Sequence, residues 1–372
     1  MEIQVSRFRE TLELLKPAVA RKSKITSIEH ILLKDGIAAA TDLETFVVTA
    51  VPEVDLTTLI PFNDVVKVLK FTPGRELLTI TSKSDKLSLS WADGSATFPT
   101  EDPGNFPDIP EFVPEIEGSI NTDILIPALV RVLPYAATDS ERAVLAGVTL
   151  ILGDPVEVAA GDGYRMADQV LPLSFPKSKI VILPSGSVRV LKHLWEKTPR
   201  TPPQTEALVP ALLAKKNIMV GYDGKLGLRF QYEKGTTAII KLVDGQPPDW
   251  LKLIPKGEPV LKVHLMAMEL EVAVRQVAVV ALDGKGMVRV AFKGDKATVS
   301  ATSDGHKVES SFQIMEKAET PQKFGLNVNY LLSYLGGKGG LISITWTGGT
   351  SPVALQSKDD PRVLIMPMNI GK

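Results

Sequence analysis

The 372-residue sequence contains no cysteine, which removes disulfides, thiolate zinc sites, iron–sulfur clusters and cysteine nucleophiles together. It also fits a reducing cytoplasm. No stretch reaches the roughly 18 uncharged apolar residues a membrane span requires. The opening MEIQVSRFRETLELL carries acids early and no continuous apolar core, so no secretory leader is read there. Histidine is scarce: His30, His193, His264 and His306 are scattered without metal-ligand spacing. HExxH, GxSxG and GxxxxGK[ST] are all missing. The Gly-rich LGGKGGL (335–341) follows a helical pattern instead of opening one, the wrong order for a phosphate loop. The pairs Asp162-Gly163 and Asp304-Gly305 read as turns, not as catalytic carboxylates. Neither an enzyme nor a cofactor or metal is expected. Net charge is nearly absent too: 42 basic against 43 acidic side chains leave −1, which argues against a protein that coats nucleic acid through charge excess.

What is present is a globular composition, 44% hydrophobic and 23% charged, in a chain long enough for two or three domains. Internal repetition supplies the organisation. IEHILLKDGIAAATDLE (28–44), VLAGVTLILGDPVEVAAGDGYR (144–165) and MVRVAFKGDKATVSATSDGHK (287–307) share one layout of strand, turn, strand and a small-residue run ending in Asp42, Asp162 and Asp304. Helical patterns precede each copy at 6–20, 121–137 and 263–281, with Pro17, Pro127 and Pro134 expected to shorten or bend them. A second set follows at 62–72, 184–200 and 326–338, with Asn63, Ser185 or Ser187, and Asn327 as N-cap candidates. Alternating strands at 77–91, 218–243 and 341–356 close the copies, joined by the turns SDK, YDGK and TGGT. NFPDIP (105–110) and QPPDW (246–250) both place Pro-Asp after a strand. The fold class expected is α+β, with three similar domains over 1–118, 119–251 and 252–372, each of two helix-plus-sheet half-repeats.

Charge is segregated on this layout. The helical segments with the 21–24 loop total +8, leaving −9 elsewhere, although segment 263–281 is itself acidic. Surface lysines on amphipathic helices account for such a split. So does a basic surface facing a polyanion through its phosphates only.

These segments carry a family resemblance. LLKPAVA (14–20), AAATDLE (38–44), LAGVTL with AAGDGYRMA (145–167), KLVDGQPPDW (241–250), LNVNYLLSYL (326–335) and the terminal VLIMPM together resemble the bacterial DNA polymerase III beta subunit, the sliding clamp, over essentially the whole chain. The resemblance implies a DNA-clamp fold closing into a ring as a head-to-tail homodimer, with helices facing a central hole. The implied function is that of a non-enzymatic processivity factor that encircles double-stranded DNA without reading sequence. Implied partners are the replicative DNA polymerase alpha subunit, the clamp loader, and other polymerases and repair proteins carrying clamp-binding peptides. The place is the cytoplasm, at the nucleoid, with no membrane. The rival reading is a ring-like scaffold that docks peptides without encircling DNA.

Carried over residue by residue, the family's pocket for a peptide with Gln and hydrophobic anchors has walls at Leu145, Gly161, Gly163, Tyr164, Arg165, Met166, Pro248, Lys252, Leu253, Asn327, Tyr330, Leu364, Ile365, Met366, Pro367 and Met368. A Met-rich wall suits several partners; Val363 and Ile365 read equally well as a final core strand. DNA-facing positions are Lys22, Lys24 and Arg142, with Arg21 and Arg189 as neighbours of the right charge. The ring seam is expected at Phe98, Ala278 and Val279. The chain departs from the pattern at Ser185-Gly186 and Ala143-Val144, where some clamps have a basic pair and aromatics. It departs also at Gly161, a frequent Thr, and in the tail at Asn369 and Gly371-Lys372.

Overall fold

Helix α1 (Val5–Leu15) buries Val5, Phe8, Thr11, Leu12 and Leu15, the three-to-four-residue spacing of a one-sided apolar stripe. It passes at Pro17 into a 3₁₀ turn, Lys16–Ala18, because proline supplies no N–H to continue the ladder. The computed structural model describes residues 1–83, 85–138, 142–198, 217–358 and 360–371. Ser84 of the SDK turn, Arg200 of the charge tally and Lys372 of the tail lie outside the described residues.

One order of elements recurs three times. First come β1 (Glu2–Gln4), α1, β2 (His30–Lys34), β3 (Ile37–Thr41), β4 (Thr45–Ala50), β5 (Thr58–Pro61), α2 (Phe62–Leu69), β6 (Leu77–Lys83), β7 (Lys86–Trp91) and β8 (Gly94–Pro99). The second pass has β9 (Ile116–Asn121), α3 (Thr122–Val132), β10 (Gly147–Leu152), β11 (Val156–Gly161), β12 (Arg165–Leu171), β13 (Lys179–Pro184), α4 (Ser185–Lys197), β14 (Asn217–Asp223), β15 (Gly227–Gln231) and β16 (Thr237–Ile240). The third has β17 (Leu261–Met266), α5 (Ala267–Asp283), two long strands β18 (Met287–Ser303) and β19 (His306–Asn327) where the others have four, α6 (Val328–Leu335), β20 (Leu341–Trp346), β21 (Val353–Ser357) and β22 (Arg362–Ile365). The long hairpin bends at register shifts on either side of Gly294, whose φ of +60° suits glycine.

By contacts the chain forms two compact units. The first comprises Met1–Val130, Leu150–Val156 and Leu171–Asp244; the second comprises Arg131–Thr149, Glu157–Val170 and Gly245–Lys372. The first unit contains an eight-stranded sheet of order β5-β2-β3-β4-β16-β15-β14-β9 and a four-stranded sheet β1-β6-β7-β8. In the second, strands run β12-β22-β21-β20-β17, and β18 pairs with β19. Each unit therefore holds one equivalent junction between passes. At the first, Thr45, Phe46, Val47 and Val48 of β4 pair with β16; at the second, Arg165–Asp168 of β12 pair with Arg362–Ile365 of β22.

Three sequence expectations need correction. Residues 263–266 are strand, not helix: Leu261, Val263 and Leu265 are buried while their neighbours are not, a period of two. Asn63 does not cap α2, because Pro61 occupies the cap position and Asn63 lies inside the helix. Neither serine caps α4: Pro184 does so without a side-chain bond, and Ser187 is buried, sharing a 2.7 Å hydrogen bond with Thr45. Only Asn327 acts as expected, its side chain accepting from the amides of Asn329 and Tyr330 at the start of α6.

Candidate peptide-binding site and DNA-facing residues

The site in the second unit begins at the turn after β11. Asp162 Oδ1 accepts from the amides of Tyr164 and Arg165, both at 2.9 Å, an Asx turn. Gly163 supplies the left-handed φ of +93° this turn needs. Arg165 then returns over the turn: Nε donates to Asp162 Oδ2 at 3.1 Å and Nη2 to the Pro134 carbonyl at 3.0 Å. Its guanidinium lies 5.1 Å from the Tyr135 ring centroid and 4.6 Å from that of Tyr330, a cation between two aromatic faces. Burial pushes the Tyr135 hydroxyl up to about 12, against the lowering pull of Arg165. Burial raises Tyr330 too, with Asp162 and Tyr164 adding to it. The Asn327 cap fixes the start of α6, and with it the place of Tyr330.

Beside the turn lies an apolar cluster of Leu145, Ala159, Met166, Trp250 and Leu364, with Val144, Ile254 and Ala354 packed against it. Trp250 donates its indole N–H to Thr149 Oγ1 at 3.1 Å, so its buried polar atom is satisfied. A Cβ on Gly161 would stand 2.8 Å from the Trp250 ring. A side chain at position 161 would therefore force this ring to shift. An exposed apolar rim carries Tyr164 (66% exposed), Leu251, Leu253 and Met366. The C-terminal segment is held by its backbone, Met366 N–H to the Tyr164 carbonyl at 2.9 Å and Met368 N–H to the Gly325 carbonyl at 2.8 Å.

The fold thus brings Leu145, Gly161, Met166 and Leu364 together beneath Trp250, and Tyr164, Arg165, Tyr330 and Met366 around the Asp162 turn. Other predicted wall residues take different places. Ile365 is fully buried. Lys252 is exposed and pairs with Asp249 at 3.0 Å, a hydrogen bond that holds the Asp249 carboxyl below its ordinary range. Pro248 is half-buried and accepts from the Trp250 amide. Pro367 and Met368 are half-buried in the tail. Sequence reasoning missed Trp250 and Tyr135 as site residues; the signals were the PPDW ending of the second copy and the Pro134-Tyr135 break after α3.

The proposed DNA contacts are exposed. Arg21, Lys22, Lys24, Arg142 and Arg189 all face solvent, without an ion-pair partner among the described residues. Arg21 and Arg189 line a cleft of about 470 Å³ in the first unit, together with Lys16 and His193. Most helix cations behind the +8 are spent locally: Arg7 on Glu53, Lys16 on Glu13, Lys67 on Asp64, Lys192 on Glu196 and Arg275 on Glu271. Arg9 is tied to the carbonyls of Leu69 and Thr72. Of the seam candidates, Phe98 is half-buried on β8, an edge strand. Val279 is 69% exposed, and Ala278 is buried on the inner side of α5.

The recurring helix-and-sheet order, with its paired junctions, defines a DNA-clamp fold. The structure matches a DNA polymerase III beta subunit from Thermotoga maritima with a TM-score of 0.86 at 21% identity, covering 100% of this chain and 99% of that one. It matches a Pseudomonas aeruginosa sliding clamp bound to griselimycin with a TM-score of 0.83, again at 21% identity and 100% and 99% coverage. In sequence the chain is 22% identical over 394 residues to the beta sliding clamp of Pseudomonas aeruginosa, spanning 99% of each. No protein-family model matches. The chain is thus similar to bacterial beta sliding clamps along 99% of its length and shares the fold of their solved structures.

Proposed function

We propose that the protein is a DNA sliding clamp, a non-enzymatic processivity factor whose ring of two head-to-tail copies encloses duplex DNA in the bacterial cytoplasm. The observation that carries the ring is the pair of junctions. The third strand of each four-strand group pairs with the last strand of the next pass: β4 with β16, and β12 with β22. The third pass offers the corresponding strand as the first half of β19, and the first pass ends on β8 at the edge of its sheet. Among the described residues both are unpaired on that side, so a second copy completes two more junctions of the same kind and closes the ring. Phe98 on β8, with Ala278 and Val279 on α5, belongs to this seam. Three domains, 1–118, 119–251 and 252–372, are the repeating units of the ring.

Enclosure retains DNA without high affinity per contact. A few free cations, Arg21, Lys22, Lys24, Arg142 and Arg189, then suffice to guide phosphates. The apolar cluster and rim around Trp250, Tyr164 and Met366 take short peptides of the replicative polymerase, the clamp loader and other polymerases and repair proteins. Loading on nicked circular DNA by a clamp loader and ATP, followed by linearisation, tests the ring. Retention on the circle and loss on the linear form are expected; equal binding to both would leave a peptide-docking scaffold. Removing Met366–Lys372 is expected to abolish peptide binding while a mass near twice 40.3 kDa persists.

A further inference from the structure

Two rows of side chains cross one face of the β12-β22-β21-β20 sheet. The first is the floor of the apolar cluster: Met166 pairs with Leu364, Leu364 with Ala354, and Ala354 with Thr345. Residues two apart on a strand share a face about 6.6 Å apart. The next row on the same face is therefore Asp168 paired with Arg362, then Gln356 paired with Ser343. Sequence reasoning assigned this polar row no role.

The two rows are joined by open space. A cavity of about 210 Å³ is lined by Ile254 and Ala354 from the edge of the apolar cluster, and by Gln356 and Arg362. Gln356 and Arg362 also line a second cavity of about 460 Å³, with Asp168, Lys358 and Asp360. The groove thus runs from Ile254 and Ala354, at the edge of the apolar cluster, into a charged end. Among the described residues its charges do not cancel once Lys338 is counted. Arg362 grips Asp168 with Nε at 3.0 Å and Nη2 at 2.6 Å, a bidentate pair whose side chains are only 31% and 15% exposed. Asp360 is taken by Lys338. Lys358 is exposed and has no ion partner among the described residues, and Arg362 Nη1 carries donors that no described residue accepts. Among the described residues, one positive charge and a fixed donor are left facing the groove.

We infer that the peptide site continues into a carboxylate subsite formed by Arg362 and Lys358. It takes an Asp or Glu side chain two residues along an extended peptide from an apolar anchor that sits against Ile254 and Ala354. The inference rests on the peptide-pocket reading above. Asp168 holds Arg362 in place and acts as a positioning residue.

The test uses the intact protein and two fluorescent, C-terminally amidated peptides with the same Gln and hydrophobic anchors. They differ only in Glu or Gln two residues from the anchor. The Glu peptide is expected to bind about three- to tenfold more tightly, the range of a partly exposed charge-assisted contact, with the advantage shrinking as salt rises. Lys358→Ala combined with Arg362→Gln should erase the advantage and leave the Gln peptide's affinity in place. Should that variant misfold through the orphaned Asp168, the surface change Lys358→Glu serves instead, and should turn the preference toward Gln. Equal affinity of the two peptides for the unaltered protein, or an advantage that survives these substitutions, overturns the subsite while the pocket stands. Failure of both peptides to bind overturns the pocket reading and the subsite with it.

Discussion

The junction of β4 with β16 and that of β12 with β22 are built alike, yet only the second carries a candidate site. Both follow an Asp whose Oδ1 closes the preceding turn: Asp42 accepts from the amides of Glu44 and Thr45 at 3.1 and 2.7 Å, as Asp162 does from Tyr164 and Arg165. Each junction has a Pro-Asp linker lying nearby on a small cluster. Phe106 and Ile109 cover Leu32, Ala39 and Leu59 in the first unit, and Trp250 covers Leu145, Ala159, Met166 and Leu364 in the second. The differences sit at single positions. Three residues after the Asp, the first copy has a buried Thr45 bonded to Ser187, where the second has Arg165 between two tyrosines. Six residues after it, Val48 packs into the cluster, where Asp168 instead holds Arg362. A shared scaffold thus becomes a filled joint in one place and a groove in another by exchanging two side chains and one linker.

The comparison can be broken most forcefully at the linkers. Trp250→Ala removes the lid of the second cluster and is expected to cost about 3–5 kcal/mol, as is Phe106→Ala in the first unit, measured by urea unfolding. Only Trp250→Ala should abolish binding of a fluorescent anchor peptide; loss in both would make the two joints functionally equal. Next comes Arg165→Thr, which copies Thr45 into the second joint. It leaves Tyr135 and Tyr330 without their cation and Asp162 Oδ2 without its partner, an expected loss of about 2–4 kcal/mol. Peptide affinity should fall at least about tenfold; an unchanged affinity would remove Arg165 from the site. The smallest effect is expected from Asp42→Asn. Burial raises the Asp42 carboxyl above 3.8, its backbone hydrogen bonds opposing but not cancelling this. A raised carboxyl is ionised in the unfolded chain before it is ionised in the folded one, so stability falls as pH climbs from 3.8 through the folded value. Asparagine keeps the amide-accepting oxygen without the charge. The variant should unfold slightly later than the parent at pH 7, with the gap closing below pH 3.8; a lower midpoint at pH 7 would contradict this.

Much of the fold was legible in the sequence because its repeats are periodic. Leu12 and Leu15 mark a helix, although Val19 at the same spacing lies beyond its end, and the recurrence of Asp42, Asp162 and Asp304 marks equivalent turns. Local chemistry was less legible. Asn63 and Ser187 have the right chemistry for caps, but prolines at 61 and 184 set the helix starts, and Ser187 is drawn to Thr45 from 142 residues away in sequence. Residues 263–266 adjoin a helical pattern, and only their alternating burial in a sheet reveals the strand. Gly161 reads as a mere departure until Trp250 is seen against it. The Asp168–Arg362 pair joins residues 194 apart, and no local pattern announces it. The charge split survives as a count, but most of the helix cations are paired at home, leaving the 21–24 loop, Lys70 and Arg189 as the exposed share without an ion pair among the described residues.

The clasp on Arg165 has a thermodynamic consequence. Two of its nitrogens are bonded and both of its faces are covered, so the floor of the site has little conformational freedom left to lose when a partner arrives. The entropy of association then falls on the incoming chain, whose own ordering sets its affinity. Among partners offering the same anchors, one already extended in solution would displace one that is not.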